Sequence, residues 1–222
     1  MALVLTSCSI TSTEKPVTTL TPAETEYTVS AADMLSPTLA DTLATSDISE
    51  QERNSLIWMR EEEKLAHDIY TALYQKWGMQ IFSNIAASET THTEAVLGLL
   101  NKYSIPDPAK SEAGAFTSPA IQTLYDTLVA QGNTSLRDAL IVGATIEDLD
   151  ISDLNTQMKD IDNIDIKTVY ARLKSGSENH MRAFIRNLSQ NGGTYTPVYI
   201  SQEEYDAILS NGQGGMGRGR NN

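Results

Sequence analysis

Six side chains of the types that bind iron and manganese fall near the middle of predicted helices. They are Glu63, Glu89, His92, Glu147, Asp150 and His180. Glu89 and His92 are spaced i, i+3, as are Glu147 and Asp150, so each pair shares a helix face. Each of the six interrupts an otherwise apolar stripe, where an unpaired polar group is costly. Two divalent or trivalent metal ions would satisfy all six groups if the helices form a bundle.

Capping signals and apolar periodicity predict the helices that must position these groups. Ser49 and Glu52 form a capping box, and no Pro or Gly follows before Gly78, so the first helix is expected to end near Trp77. Further helices are predicted over 80–102, 119–131, 134–159, 163–189 and 202–209. If the first two helices are antiparallel, Glu63 lies level with the pair on the second helix.

The other acidic and histidine side chains of these helices fall off the apolar stripes. We expect Glu61, Glu62 and Glu178 to be solvated, His67 to lie at the surface, and Asp148 and Asp153 to point away from the cluster. About four of the 29 acidic residues are therefore assigned to the interior.

The connection from Ser104 to Asn133 is too long for a tight helical hairpin. It contains three prolines and the short amphipathic helix at 119–131. A connection of this length suits a crossover between two helices that run parallel.

Composition narrows the classes of function. The net charge of −13 argues against binding to a nucleic-acid backbone, which requires a basic face. Cys8 is the one cysteine, so a metal site must use histidine and carboxylate ligands. The sequence contains no run of about 18 apolar residues that would predict a transmembrane helix.

Both ends of the chain are low in complexity. Leu5-Thr6-Ser7-Cys8 is similar to a bacterial lipobox, and residues 1–47 read as a Ser/Thr-rich flexible tether behind a lipidated Cys8. The alternative is a disordered cytoplasmic tail in which the cysteine occurs by chance. Residues 211–222, rich in Gly, Arg and Asn, are predicted to be disordered. The folded part is then 48–210, expected to be exported to the cell envelope and anchored there by lipid.

The helices resemble the ferritin-like superfamily of di-iron carboxylate proteins. Glu63-Lys-Leu-Ala66-His67-Asp-Ile-Tyr70 is similar to the Glu-x-x-Ala-Arg-x-x-Tyr run of rubrerythrin-type first helices, with His67 in place of Arg. Glu89-Thr-Thr-His92 matches the superfamily's Glu-x-x-His. The segments 82–89, 146–151 and 179–184 look like a ferritin-like family of unassigned function found in archaea and bacteria. The resemblance covers about 50–190.

The resemblance implies an all-α fold, a ferritin-like four-helix bundle with one long crossover containing a short helix, plus a short C-terminal helix. It also implies that Glu63 and Glu147 are terminal or bridging ligands, that Glu89 bridges, and that His92 and His180 each bind one metal. Tyr70 and Tyr170 are candidate hydrogen-bond donors near the ligands, or ordinary core tyrosines.

The last long helix departs from the pattern, because Ser177 stands where the Glu of a second Glu-x-x-His is expected. Asp150 could replace the missing carboxylate. Alternatively, one metal position is well formed and the second is weaker.

Two functions remain open from the sequence. The first is a metal-binding protein with two Fe ions, or Mn, that acts as a ferroxidase, peroxidase or O₂ scavenger on O₂ or peroxide. The second is a non-catalytic surface lipoprotein with a degenerate metal site. A homodimer is the usual expectation for oligomeric state.

Overall fold

The computed structural model describes residues 48–211, and within them every regular element is an α-helix. The six helices are α1 Glu50–Trp77, α2 Gln80–Lys102, α3 Pro119–Gly132, α4 Leu136–Asp160, α5 Ile164–Gln190 and α6 Gln202–Asn211. The prediction of an all-helical chain is confirmed, and the helix ends differ from the predicted ones by two residues or fewer. No helix in this range is long and apolar enough to cross a membrane.

Local capping explains where the first two helices begin and end. The Ser49 side chain accepts a hydrogen bond from the N–H of Glu52, whose carboxylate accepts one from the N–H of Ser49, which completes the predicted capping box. Gly78 ends α1 with φ +66°, a left-handed conformation that disfavours a side chain. Only Gly78 and Met79 separate α1 from α2, which makes the two helices an antiparallel pair.

Side-chain contacts fix the direction of the other long helices. Tyr70 of α1 reaches Glu147 of α4, and the earlier Ser55 reaches the later Gln157, so α1 and α4 are antiparallel. Ser88 of α2 likewise contacts His180 of α5, and α2 ends where α5 begins. It follows that α2 and α4 run parallel, and the long connection between them contains α3.

The core consists of two apolar clusters with a polar layer between them. One cluster contains Leu73, Phe82 and Phe184, and the other contains Met59 and Leu173. On α1, α2 and α5 the predicted metal ligands lie between the residues of the two clusters, and on α4 they lie just before the first residue of the second cluster, Leu154. The apolar clusters therefore exclude water from both sides of the polar layer.

The expectation that Glu61 and Glu62 are solvated was wrong, because each is only 2% exposed. Glu61 accepts hydrogen bonds from the backbone N–H groups of Thr117 and Ser118, at the start of α3. The helix α1 packs against α2, α3 and α4 at once, so its buried arc is wider than one stripe.

Asp148 points away from the cluster as predicted, but it is completely buried. It accepts hydrogen bonds from the hydroxyl of Tyr195 and from the N–H groups of Val198, Tyr199 and Ile200. These bonds fix the segment between α5 and α6 against α4. More acidic residues are thus buried than the four predicted, and they include Glu52 and Asp68.

Three other side chains lie outside the cluster, as expected. His67 is partly exposed and contacts Asp68, Glu178 faces Lys174 at 3.9 Å, and Asp153 accepts a hydrogen bond from Trp58. The lipobox-like start with Cys8, the tether over 1–47 and the tail over 212–222 lie outside the described residues. The lipid anchor and the disordered ends stay predictions.

Candidate metal centre

The carboxylate of Glu89 lies between the two buried imidazoles. Its Oε2 is 2.7 Å from Nδ1 of His92, and its Oε1 is 2.9 Å from Nδ1 of His180. Oε2 of Glu63 is 3.3 Å from the first of these ring nitrogens, and Oε2 of Glu147 is 3.6 Å from the second. The result is two groups of three potential ligands that share Glu89.

Several donor atoms of this cluster have no hydrogen-bond partner. The short contacts at Nδ1 of His92 and of His180 lack hydrogen-bond geometry, so both nitrogens stay unsatisfied. Oε1 of Glu63 and Oδ1 of Asp150 are also buried without a partner. Buried polar atoms are normally paired, so this set of unpaired oxygens and nitrogens fits a bound cation.

Ser88 orients the ring of His180. Nε2 of His180, on α5, lies 3.0 Å from Oγ of Ser88, on the facing helix α2. A proton shared at Nε2 leaves the Nδ1 lone pair facing the cluster, which is the tautomer that a metal needs. No sequence pattern indicates a role for Ser88, because that role depends on how α2 packs against α5.

The side chain of Asp150 is oriented by Ser177. The hydroxyl of Ser177 lies 2.5 Å from Oδ2 of Asp150, which leaves Oδ1 unpaired. Asp150 lines the same small cavity as Glu63, Glu89 and Glu147, although it belongs to neither three-residue group. Ser177 therefore holds a carboxylate from the neighbouring helix.

Only one of the two candidate tyrosines touches a cluster residue. The Tyr70 hydroxyl donates to Oε1 of Glu147 at 2.5 Å. The hydroxyl of Tyr170 instead lies 2.7 Å from Oγ of Ser55, within the second apolar cluster. Tyr70 thus orients a candidate ligand, whereas Tyr170 belongs to the core.

Glu62 is the cavity residue that the sequence did not predict. Its carboxylate lines the cavity beside Glu63 and Asp150, and neither oxygen has a hydrogen-bond partner. Burial raises its pKa well above the ordinary value of 4.5, and the charges of Asp150, Asp153 and Glu63 raise it further.

The charges of the cluster shift the pKa values of its members in opposite directions. Burial alone would raise the pKa of Glu89, but the two imidazoles lower it to about 2. Burial alone would lower the pKa of each histidine, but the adjoining carboxylates raise that of His92 to about 11 and that of His180 to about 10. The carboxylates therefore favour the protonated form of both imidazoles when no metal is bound, and metal binding would compete with these protons.

The carboxyl groups beyond Glu89 are shifted the other way. Burial raises the pKa of Asp150 to about 7 despite its hydrogen bond from Ser177. Burial and the Asp150 charge likewise raise the pKa of Glu63 well above its ordinary value. Crowded buried carboxyl groups of this kind are typical of functional sites.

The fold and this site define an all-helical domain that holds a buried carboxylate–histidine cluster. The chain belongs to the family described as "Uncharacterized protein domain (DUF2202)", which it matches over residues 52–212. It is 57% identical over 173 residues to "Uncharacterized protein MJ0754" of Methanocaldococcus jannaschii, a match that covers 77% of this chain and 94% of the relative. The crystal structure of that hypothetical protein is similar to this one with a TM-score of 0.73 at 57% identity, and the match covers 74% of this chain and 95% of the other.

Proposed function

We propose that this protein is a ferritin-like four-helix-bundle protein that binds two iron ions, with manganese as the alternative metal. The ions would serve reactions with O₂ or peroxide, as in a ferroxidase, a peroxidase or an O₂ scavenger. The observation that carries the proposal is the position of Glu89, whose two oxygens each face a different histidine at 2.7 and 2.9 Å. One carboxylate between two imidazoles would let Glu89 contribute to the binding of both ions, as the Glu of a Glu-x-x-His motif does in di-iron bundles.

The direction of the helices supports the ferritin-like assignment. Ferritin-like bundles have one long crossover, and each pair of helices contributes carboxylates and a histidine to the bundle interior. Here α2 and α4 run parallel, and the intervening segment contains α3. Each of the four long helices contributes a carboxylate or a histidine to the polar layer.

Each ligand has a distinct role in the proposed centre. Glu63 and His92 would bind one ion, Glu147 and His180 the other, and Glu89 both. Asp150, held by Ser177, would supply the carboxylate that α5 lacks. The oxygen and imidazole donors favour iron or manganese, and they include no thiolate that would favour softer metals.

The bound ions would supply electron exchange with O₂ or peroxide, and the protein supplies the surroundings. Tyr70 orients Glu147, and Ser88 fixes the tautomer of His180. The apolar clusters on both sides keep bulk water from the cavity. The hydroxyl of Tyr70 is also the nearest proton donor to Glu147, and burial and that carboxylate raise its pKa well above 10.0.

The second candidate function is that of a non-catalytic bundle with a degenerate metal site. Ser177 favours it, because a carboxylate at that position is part of the usual ligand set. Such a protein would bind one ion weakly or none, and its role would rest on its surface. Metal stoichiometry separates the two candidates.

The test is anaerobic loading of the full chain with Fe(II), followed by desalting and metal analysis. The proposal predicts two irons per chain, and their loss in Glu89→Ala/His92→Ala. A matched control, His67→Ala/Glu178→Ala, removes one imidazole and one carboxylate outside the cluster and should keep both ions. Absence of iron in the wild-type chain would contradict the proposal. Oxidation of the bound Fe(II) by peroxide or O₂ then tells a redox enzyme from a metal-storing bundle.

A further inference from the structure

Glu62 has the features of a metal ligand that the superfamily pattern does not contain. It is 2% exposed, both of its carboxylate oxygens are buried without a hydrogen bond, and it lines the cavity at the centre of the cluster. A buried carboxyl group without a hydrogen bond costs stability even when it is protonated, and its ionised form costs far more. A bound cation would offset the cost of the ionised form.

The neighbouring donors within the described residues are already engaged elsewhere. The indole N–H of Trp58 lies near Glu62 but donates to Asp153 at 3.0 Å. The ammonium group of Lys64 binds Asp68, and the hydroxyl of Ser177 lies against Asp150. The groups that face Glu62 across the cavity are carboxylates. A cation in the cavity would satisfy Glu62 together with them.

We propose that Glu62 is a direct ligand of the metal centre and binds on the α1–α4 side of the cavity, next to Glu63 and Asp150. Glu62 and Asp150 together would replace the carboxylate ligand that is missing at position 177 of α5. This inference rests on the proposed function, since it requires that the cavity bind metal.

The added ligand changes the charge balance of the centre. With Glu62, five carboxylates face two ions: Glu62, Glu63, Glu89, Glu147 and Asp150. Five negative charges exceed the four positive charges of two divalent ions but not the six of two trivalent ions. The centre should therefore favour the oxidised, trivalent pair more than a centre with four carboxylates would.

The test compares Co(II) and Mn(II) binding to the full chain and to Glu62→Gln, which keeps the side-chain volume and removes the charge. Glu178→Gln is the matched control, because it makes the same change at a carboxylate that faces Lys174 and does not line the cavity. We expect Glu62→Gln to weaken binding of at least one ion by about 10–100-fold and to change the visible spectrum of the Co(II) form. Glu178→Gln should leave both the affinity and the spectrum unchanged.

A second measurement does not depend on whether the variant folds. Anomalous diffraction from crystals of the Mn(II)-loaded wild-type chain should place an oxygen of Glu62 within about 2.0–2.5 Å of an ion, the range for oxygen ligands of such metals. Two ions in the cavity with Glu62 beyond that range, or a Glu62→Gln variant with unchanged affinity and spectrum, would overturn the inference and leave the proposed function standing. A wild-type chain that binds no metal would overturn both.

Discussion

The ring of His92 occupies the space that a side chain at position 176 would need. A β-carbon on Gly176 would lie 2.6 Å from both Cε1 and Nε2 of this ring, closer than carbon atoms approach in folded proteins. Gly176 of α5 therefore allows α2 to bring His92 close enough to turn Nδ1 toward Glu63 and Glu89. A glycine inside a helix costs stability. The space that the imidazole needs explains why a glycine occupies this position.

Replacing Gly176 by alanine should displace His92 and weaken metal binding. We expect the affinity for Mn(II) to fall by about 10–100-fold, the usual effect of disturbing a group that orients a ligand. Gly98→Ala is the matched control, because a β-carbon there meets no atom within 4 Å and α2 is otherwise unchanged. Calorimetric titration of both variants tests the prediction, and equal affinities would show that the ring does not need this space.

Removing the hydroxyl of Ser88 should weaken the binding of the metal ion that His180 would hold. The Ser88→Ala variant loses the contact at Nε2 that fixes the tautomer, so we expect an affinity loss of about tenfold or more for one of the two ions. Ser83→Ala removes a hydroxyl from the same helix that bonds only to Gln80 and should have no effect. Titration with Mn(II), monitored by electron paramagnetic resonance, would reveal a change in one ion or in neither.

Asp148 should be required for stability and not for metal binding. The Asp148 carboxylate accepts hydrogen bonds from three N–H groups and one hydroxyl. The amide of Asp148→Asn would turn a donor toward some of these groups, which should lower the free energy of unfolding by about 3 kcal/mol. Asp206→Asn, an exposed change in α6, is the control. Urea unfolding and metal analysis of the folded fraction check the two halves of the prediction. Loss of metal from folded Asp148→Asn would contradict it.

Acid should unfold the protein partly through Glu52 and Asp68. Burial opposes both shifts, but hydrogen bonds from Asn163 and Ser49 lower the pKa of Glu52 below 4.5, and those from His67, Lys64 and Gly114 lower the pKa of Asp68 below 3.8. A lowered folded-state pKa gives stability that is complete above the ordinary value and is lost as pH falls through the folded one. The free energy of unfolding should therefore decline below about pH 4.5, and less steeply in Glu52→Gln and Asp68→Asn. Parallel pH curves for these variants and the wild type would contradict the assignment.

The cluster of the metal-free protein should contribute less stability as pH rises, first through Asp150 below pH 7 and then through the two histidines above it. The pKa of Asp150 is about 7 in the fold against an ordinary 3.8, so between these pH values the unfolded chain ionises first and the free energy of unfolding falls as pH rises. The imidazolium groups of His92 and His180 add stability that is complete below pH 6.5 and is lost as pH approaches about 10 to 11. Chemical unfolding with chelator present should show this decline, and Asp150→Asn should remove its part below pH 7. A flat profile would contradict the pKa values.

The sequence predicted the helices and four of the side chains that line the cavity, Glu63, Glu89, Glu147 and Asp150, because both depend on local patterns. The capping box at Ser49 and the glycine at 78 mark helix ends without reference to the rest of the fold. The spacing of Glu89 and His92 fixes their common face whatever lies opposite. The antiparallel register of α1 and α2 then follows from their two-residue turn.

The burial of Glu62 and Asp148 could not be predicted in the same way. A single stripe describes a helix with one partner, whereas α1 has three, and Asp148 is covered by the segment that follows α5. The role of Ser177 also does not follow from sequence alone. Along α5 it marks the position of a missing carboxylate, whereas in the fold its hydroxyl orients Asp150 of α4.

The most direct test of the shared Glu89 is the number of Mn(II) or anaerobic Fe(II) ions retained by single-residue variants of the full chain. The proposed centre predicts two ions in the wild type, one in His92→Ala, one in His180→Ala and none in Glu89→Ala, because Glu89 contributes to both three-residue groups. Two ions retained by Glu89→Ala, or none bound by the wild-type chain, would contradict it.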